Sequence, residues 1–281
     1  MVSIILLCHN KALYTRACLE SILSTRPADF ELVVVDNGST DETPALLAEM
    51  RRRVEAAGAR FNLISTGRNL GCSTARNLAV AAAGGSEIVF LDNDTVIPDP
   101  DWLMKLRAVL LSAPDVAVAG PKICYPFEPH LIQCAGVGIS PSGRVLFRGR
   151  GSPAHDPRFA RVEPVQCLIS ACFIFRRSLY DEIGGLDEAF NPIQFEDFDF
   201  CYRARSRGLR CLYTPDPVVY HWESITSDGS PAIPNRYIII KHGMLFKQRW
   251  RHMFEKEDGP RDEDTAWKEI DMPSLHGPRR R

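Results

Sequence analysis

The stretch Ile88–Ile97, IVFLDNDTVI, closes an apolar run with two carboxylates one residue apart, Asp92 and Asp94. Three chemistries fit such a pair. Asp92 could take up a phosphoryl group as a nucleophile with Asp94 as its acid/base partner. The pair could instead hold a divalent cation against a diphosphate. Or the residues could simply close a strand end, because Asp and Asn side chains satisfy local backbone groups at turns. The spacing alone does not choose, so the surrounding pattern has to.

Upstream, short apolar runs alternate with helix-like segments, the signature of a mostly parallel sheet covered by helices. Strands are expected near Ser3–Leu7, Glu31–Val35, Phe61–Ser65 and Glu87–Leu91. Tyr14, Cys18, Leu19, Ile22 and Leu23 form a helical stripe between the first two. Thr43-Pro44 suits an N-cap followed by a first helical residue, and that helix should run to about Ala57. An Ala-rich helix is expected over Cys72–Ala83, stopped by Gly84-Gly85. Polar residues gather where the strands end: Cys8-His9-Asn10, Asp36-Asn37-Gly38, Thr66-Gly67-Arg68-Asn69 and Asp92-Asn93-Asp94. Ligands of open α/β sheets sit outside the carboxyl ends of the strands, so these ends offer one shared crevice.

After a helix over Trp102–Leu111, the chain turns to Gly- and Pro-punctuated strands between Val116 and Phe175, with a hairpin around Ser140-Pro-Ser-Gly143. A helix follows from Ser178, and another lies between Asn191-Pro192 and Gly208. The organisation expected is one domain over 1–254: a parallel-sheet half (1–112), a mixed-sheet half (113–230) and a basic amphipathic helix (231–254). Pro231–Phe254 contains no acidic residue. Its Ile239, Phe246, Trp250 and Met253 are expected to share a face, and its basic residues suit a peripheral contact with an anionic membrane through 236–254. Residues 255–281 are expected to be a poorly ordered tail.

Composition narrows the classes. Lys and Arg number 34 against 35 Asp and Glu, a formal charge of −1, which leaves no electrostatic footprint for nucleic acid. The nine cysteines lack a C-x-x-C pair, so neither a zinc cluster nor a disulfide framework is indicated, and reduced packing cysteines fit a cytoplasmic protein. MVSIILLCHN reads as a buried first strand, and no later run approaches the roughly 18 apolar residues of a membrane span.

Several segments in order resemble the family 2 glycosyltransferases of the GT-A fold: SIILLCHN, LVVVDNGSTDET, GRNLGCSTARNLAV, IVFLDNDTVIPDPDWL, ACFIFRRSLYDEIGGLDEAF and FEDFDFCYRARSRGLRCLYTPDPVVYHWES. The resemblance runs from Val2 to about Trp250. It implies a Rossmann-like, mostly parallel central sheet flanked by helices, with an added mixed-sheet acceptor half. It also implies an inverting enzyme that moves a hexose from a nucleoside-diphosphate sugar, UDP- or dTDP-linked before GDP-linked, with Mn2+ or Mg2+ as cofactor. By the same resemblance Asp94 would touch the metal, Asp92 would favour the ribose or act through water, and His221 would complete the coordination. The nucleotide sugar is expected on His9, Asn10, Asp36, Gly38, Arg68, Gly71, Arg76, Asp92 and Asn93. Among these, Asp36 suits base or ribose, Gly38 lets backbone approach a ligand, and the planar forks of Arg68 and Arg76 suit phosphate.

Asp197 is the expected general base, since displacement with inversion needs a carboxylate at the acceptor hydroxyl. Asp199 has Arg203 at i+4 and suits a structural pair, whereas Asp197 has Cys201 there. Two positions depart from the family pattern: Cys8-His9 stands where an aromatic is common before the Asn, and Ser170 replaces a frequent glycine. The acceptor class stays open among glycan, lipid-linked intermediate, natural product and peptide, and the location expected is cytoplasmic, with peripheral contact at the inner face of the membrane. Two rivals remain. A dehalogenase-type phosphatase would use Asp92 as nucleophile, but would open its chain on that strand and need a later acidic pair after an aliphatic strand. A non-catalytic sugar-nucleotide binder would bind without turnover.

Overall fold

The computed structural model of the chain describes residues 1–26, 29–223 and 235–270. Strand β1 (Val2–Cys8) is followed by α1 (Ala12–Leu23), β2 (Phe30–Asp36), α2 (Thr43–Ala56), β3 (Arg60–Ser65), α3 (Cys72–Ala82) and β4 (Glu87–Asp92). The aliphatic runs of β1, β2 and β4 are buried on both faces, as strands of a parallel sheet covered by helices must be. On β3 exposed and covered residues are mixed, in keeping with its place at the sheet edge. On α3 the small or buried residues Cys72, Ala75, Arg76, Ala79 and Val80 face inward at the three- and four-residue spacing of a helical stripe.

The second half adds β5 (Thr95–Val96), α4 (Trp102–Leu110), β6 (Val116–Cys124), β7 (Ile132–Cys134), β8 (Val137–Ile139), β9 (Val145–Phe147), β10 (Glu163–Val165) and β11 (Cys172–Arg176). It continues through α5 (Arg177–Ile183), α6 (Glu196–Arg205), β12 (Arg210–His221) and α7 (Asn235–Phe254). The main sheet runs β10-β12-β6-β11-β4-β1-β2-β3, with β5 on β12 and β7 on β6, while β8 and β9 form the expected hairpin. Strands β4, β1, β2 and β3 are parallel; β11 enters antiparallel to both β4 and β6, and β12 runs parallel to β6. The connections first build outward from β1 through β2 to β3, then return to place β4 on the other side of β1. Such a reversal opens a crevice at the carboxyl ends of the two strands concerned, here Cys8 and Asp92.

Several expectations need correcting. Thr43 makes no capping bond, because Asp41 Oδ1 accepts the Thr43 N–H instead. Helix α6 starts at Glu196 rather than just after Asn191-Pro192. Gln194 and Phe195 take left-handed φ values of 79° and 71°, while Asn191 is used elsewhere, accepting the Ser73 N–H at the start of α3 at 3.0 Å. On α7 the buried residues are Ile238, His242, Phe246 and Phe254, whereas Ile239 is 44% exposed. Residues 255–270 are not a loose tail. Glu257 accepts from Gln166, Tyr202 and Arg205, and Ser142 donates to Asp262 at 2.7 Å. Residues 231–234 of the expected helix and 271–281 of the expected tail lie outside the described residues. All nine cysteines are buried and free.

Candidate active site

The D-x-D turn is placed by pairing at a distance in sequence. After Asp92 ends β4, the chain turns through Asn93-Asp94 and re-enters the sheet as β5, where Thr95 lies opposite His221 and Val96 opposite Tyr220. The Trp222 N–H donates to the Asp94 carbonyl at 3.0 Å. Asp92, Asp94 and His221 each offer a ligand-capable atom, and these atoms lie within 4.8 Å of one another. His221 Nδ1 donates to Gln133 Oε1 at 2.7 Å, and the same amide returns a bond to the His221 carbonyl at 3.3 Å. Nδ1 thus carries the proton of the neutral ring and Nε2 is turned to Asp94 Oδ1, 3.3 Å away. Two carboxylates and one imidazole oriented from behind are a donor set that suits a hard or borderline divalent cation such as Mn2+ or Mg2+.

The electrostatics agree. Burial would push the His221 imidazolium down, but Asp94 and then Asp92 outweigh it and raise the group to about 9. Burial raises the Asp92 carboxyl as well; Arg76 opposes this and Asp94 adds to it. Clustered acids that hold a proton on a neighbouring imidazole are short of positive charge.

Arg76 lies behind the acids. Its guanidinium is buried and donates to Asp92 Oδ1 at 2.6 Å and to Ser170 Oγ at 2.7 Å, with Glu196 Oε1 at 3.5 Å. Turned to these partners, it does not offer the phosphate contact expected of it. Ser170, the departure from the family glycine, also gives its N–H to Asp197 Oδ2 at 3.0 Å. Asp92, Arg76, Ser170 and Asp197 therefore form one connected chain beneath the crevice. Asp197, in the first turn of α6, also accepts the Phe198 N–H at 2.8 Å. Burial first, and then Glu196, push its carboxyl well above the usual range, against the pull of the Ser170 N–H. Glu196, passed over as a site residue although it adjoins Asp197, has one oxygen on Arg76 and Cys72 and the other buried without a partner.

On the nucleotide side, most expected residues build the crevice wall. Asn10, at φ 59°, accepts from Thr40 N at 2.7 Å and Asp41 N at 3.3 Å. Asp36 Oδ1 accepts Ser39 N at 2.9 Å, and His9 Nδ1 donates to the Asn37 carbonyl at 3.0 Å. Asn93 is buried and donates to Thr15 Oγ1 at 2.7 Å, so its amide is turned into the protein rather than to a ligand. Gly38 is required by a different neighbour from the one expected: a Cβ there would lie 2.5 Å from the Arg68 backbone. A Cβ on Gly71 would meet Asn191. Arg68 is exposed and, among the described residues, its side chain has no partner, which leaves its guanidinium free at this mouth.

Residues 3–184 match the profile of Glycosyl transferase family 2. The chain belongs to that family. It is 31% identical over 260 residues to the uncharacterised protein y4gI of Sinorhizobium fredii, covering 89% of this chain and 28% of that protein. It is 30% identical to the O-antigen biosynthesis protein RfbC of Myxococcus xanthus, covering 83% of this chain and 18% of that protein. The chain thus spans under a third of either relative. An N-acetylglucosaminyl-diphospho-decaprenol L-rhamnosyltransferase of Mycobacterium tuberculosis is 28% identical, with 75% of this chain and 72% of that protein covered. Among solved structures, a mannosyltransferase of Pyrobaculum calidifontis in complex with GDP-Man and Mn2+ superposes with a TM-score of 0.61 at 20% identity, over 92% of this chain and 65% of that one. GalNAc-T7 with UDP, GalNAc and Mn2+ superposes at 0.66 and 18% identity, over 79% and 43%. Both likenesses establish the GT-A fold, and neither family nor fold supports the phosphatase reading.

Proposed function

We propose that this chain carries a metal-dependent, inverting glycosyltransferase site that moves a hexose from a UDP- or dTDP-sugar to an acceptor hydroxyl. The observation that supports this best is the connected chain from Asp92 through Arg76 and Ser170 to Asp197. It ties a cation-ready cluster to a buried, strongly basic carboxylate. A cation held by Asp92, Asp94 and His221 would offset the charge that builds on the departing diphosphate. Asp197 takes the acceptor proton as the hydroxyl oxygen bonds to the anomeric carbon and the bond to the diphosphate oxygen breaks. Arg76 holds Asp92 in place for this, and Gln133 holds His221. Arg68 is the group we assign to phosphate.

The acceptor we favour is a lipid-linked glycan, in line with the name of the mycobacterial relative. Among the described residues no helix is long and apolar enough to cross a membrane; the approach we propose to such an acceptor is through α7. The deciding experiment is calorimetric titration of UDP, dTDP and GDP into the protein, with Mn2+ and then with excess chelator. Micromolar binding that requires the metal supports the reading; metal-independent binding, or none, overturns it.

A further inference from the structure

Residues 255–270 run back across the acceptor half and finish a cleft of about 260 Å³ whose walls include Phe147, Phe159, Arg150, Arg158, Trp267 and Lys268. The strap fits closely because Gly151 has no side chain: a Cβ there would lie 2.6 Å from Lys268 Nζ. Arg150 Nε donates to the Lys268 carbonyl at 2.8 Å. Trp267 is nonetheless 59% exposed. One face of its indole is stacked by the Arg150 guanidinium at 3.8 Å, and Phe147 meets it edge to face at 5.6 Å.

An indole braced by Arg150 and Phe147 that lines a cleft and stays more than half exposed is a stacking platform. Of the charged groups lining the cleft, the two arginines and Asp264 are paired, and Lys268 is held on a carbonyl. Arg150 is bidentate to Glu223 at 2.7 and 2.8 Å, Arg158 pairs with Asp156 at 2.6 Å, and Asp264 pairs with Arg261 at 3.3 Å. Lys268 Nζ donates to the Gly151 carbonyl at 3.3 Å. A phosphate would find a single cation without an acidic partner, Lys268, whereas the C–H face of a pyranose can lie on the indole with its hydroxyls at the polar rim. The size agrees, being below the roughly 300–1,000 Å³ of sites for drug-sized ligands. The cleft is tied to the strand that carries His221, because Glu223, which Arg150 grips, lies two residues beyond that histidine.

We infer that this cleft is a subsite for one neutral sugar ring of the acceptor, stacked on Trp267. Only the word acceptor rests on the proposed transfer reaction; binding of a neutral ring at Trp267 does not. The test is saturation-transfer NMR on the full chain with the methyl glycosides of glucose, galactose, rhamnose and N-acetylglucosamine, in parallel with UDP titration in Mn2+. At least one glycoside should receive saturation from the native protein, with affinity about tenfold weaker in Trp267→Ala, the scale of losing one aromatic stack, and largely kept in Trp267→Phe. UDP binding should be equal in all three proteins. The subsite is overturned if no glycoside responds, if Trp267→Ala leaves the response unchanged, or if inorganic pyrophosphate displaces the sugar. Failure of UDP to bind the native protein would instead count against the transferase reading, and the glycoside signal would still judge the cleft.

Discussion

Asp197 accepts two backbone N–H bonds, an arrangement that favours the charged carboxylate, yet burial and Glu196 keep its proton on well above the usual carboxylate range. A carboxylate made reluctant to ionise is a stronger base once it has done so. Asp197→Asn keeps the shape and removes the basicity. Transfer should fall about a hundredfold or more, with UDP affinity in Mn2+ unchanged; native turnover in the variant would reassign the base. His221 gives the second prediction at this scale. With its group raised to about 9, the imidazolium–carboxylate pair of the metal-free protein stabilises it fully below the ordinary histidine value, and that contribution is lost as pH rises through about 9. A cation needs the neutral ring, so Mn2+ affinity should climb by up to about tenfold per pH unit toward that value. Gln133→Leu should weaken Mn2+ about 10–100-fold, the usual range for a residue that orients a ligand, by calorimetry; unchanged affinity would take His221 out of the coordination. Asp92, Asp94, His221 and Asp197 could be singled out as candidates from sequence because each sits in a local motif. Gln133 could not, because its partner is 88 positions away and an isolated Gln in a short strand carries no pattern.

Helices α6 and α7 are joined at one buried acid. Asp199 is fully buried and accepts from Arg203 at 2.7 Å, Trp250 at 2.9 Å and Arg249 at 3.2 Å. The i+4 spacing to Arg203 was legible; the two partners from α7 were not. Asp199→Ala would take the shared acceptor from three half-buried donors, and removing a hydrogen-bond partner of charged groups costs about 1.5–3 kcal/mol. Thermal unfolding should show a large drop in Tm, and a loss within the scatter of surface mutants would mean that α7 is held by packing alone. The same distinction between local and distant signals separates the elements read correctly from those misread. The aliphatic runs of β1, β2 and β4 declare themselves, since only a doubly covered strand tolerates them. The start of α6 was misread because Asn191 caps another helix. The 255–270 strap was misread because its acidic, Gly- and Pro-containing composition resembles a tail. What holds it is non-local: Glu257 against Arg205, and Gly259, where a Cβ would collide with the Ile139 carbonyl.

For the whole molecule, the consequence of strand order is that the acid pair at the end of β4 and the histidine on β12 meet from opposite halves of the sheet, with Asp197 of α6 linked to them through Ser170 and Arg76. A lipid-linked acceptor would have to reach that site from a membrane surface, and α7 offers the means. Its outer side carries Tyr237, Ile240 and Met244, 67%, 63% and 68% exposed, at the spacing of one helical stripe, with exposed Arg236 and Lys241 beside them and no acid along the helix. An apolar stripe flanked by basic residues lies in the interface of an anionic bilayer, each cation adding about 1 kcal/mol near the surface. The full chain should therefore sediment with vesicles containing phosphatidylglycerol and much less with pure phosphatidylcholine. Raising salt from about 0.1 M to about 1 M, where the screening length falls from about 10 Å to 3 Å, should release most of it. The double change Ile240→Glu and Met244→Glu alters only exposed positions, so the fold and UDP binding should persist while sedimentation is lost. If the double variant still sediments, or if neutral and anionic vesicles capture the native chain equally, α7 is not the docking surface. The acceptor would then have to be one that reaches Asp197 from solution.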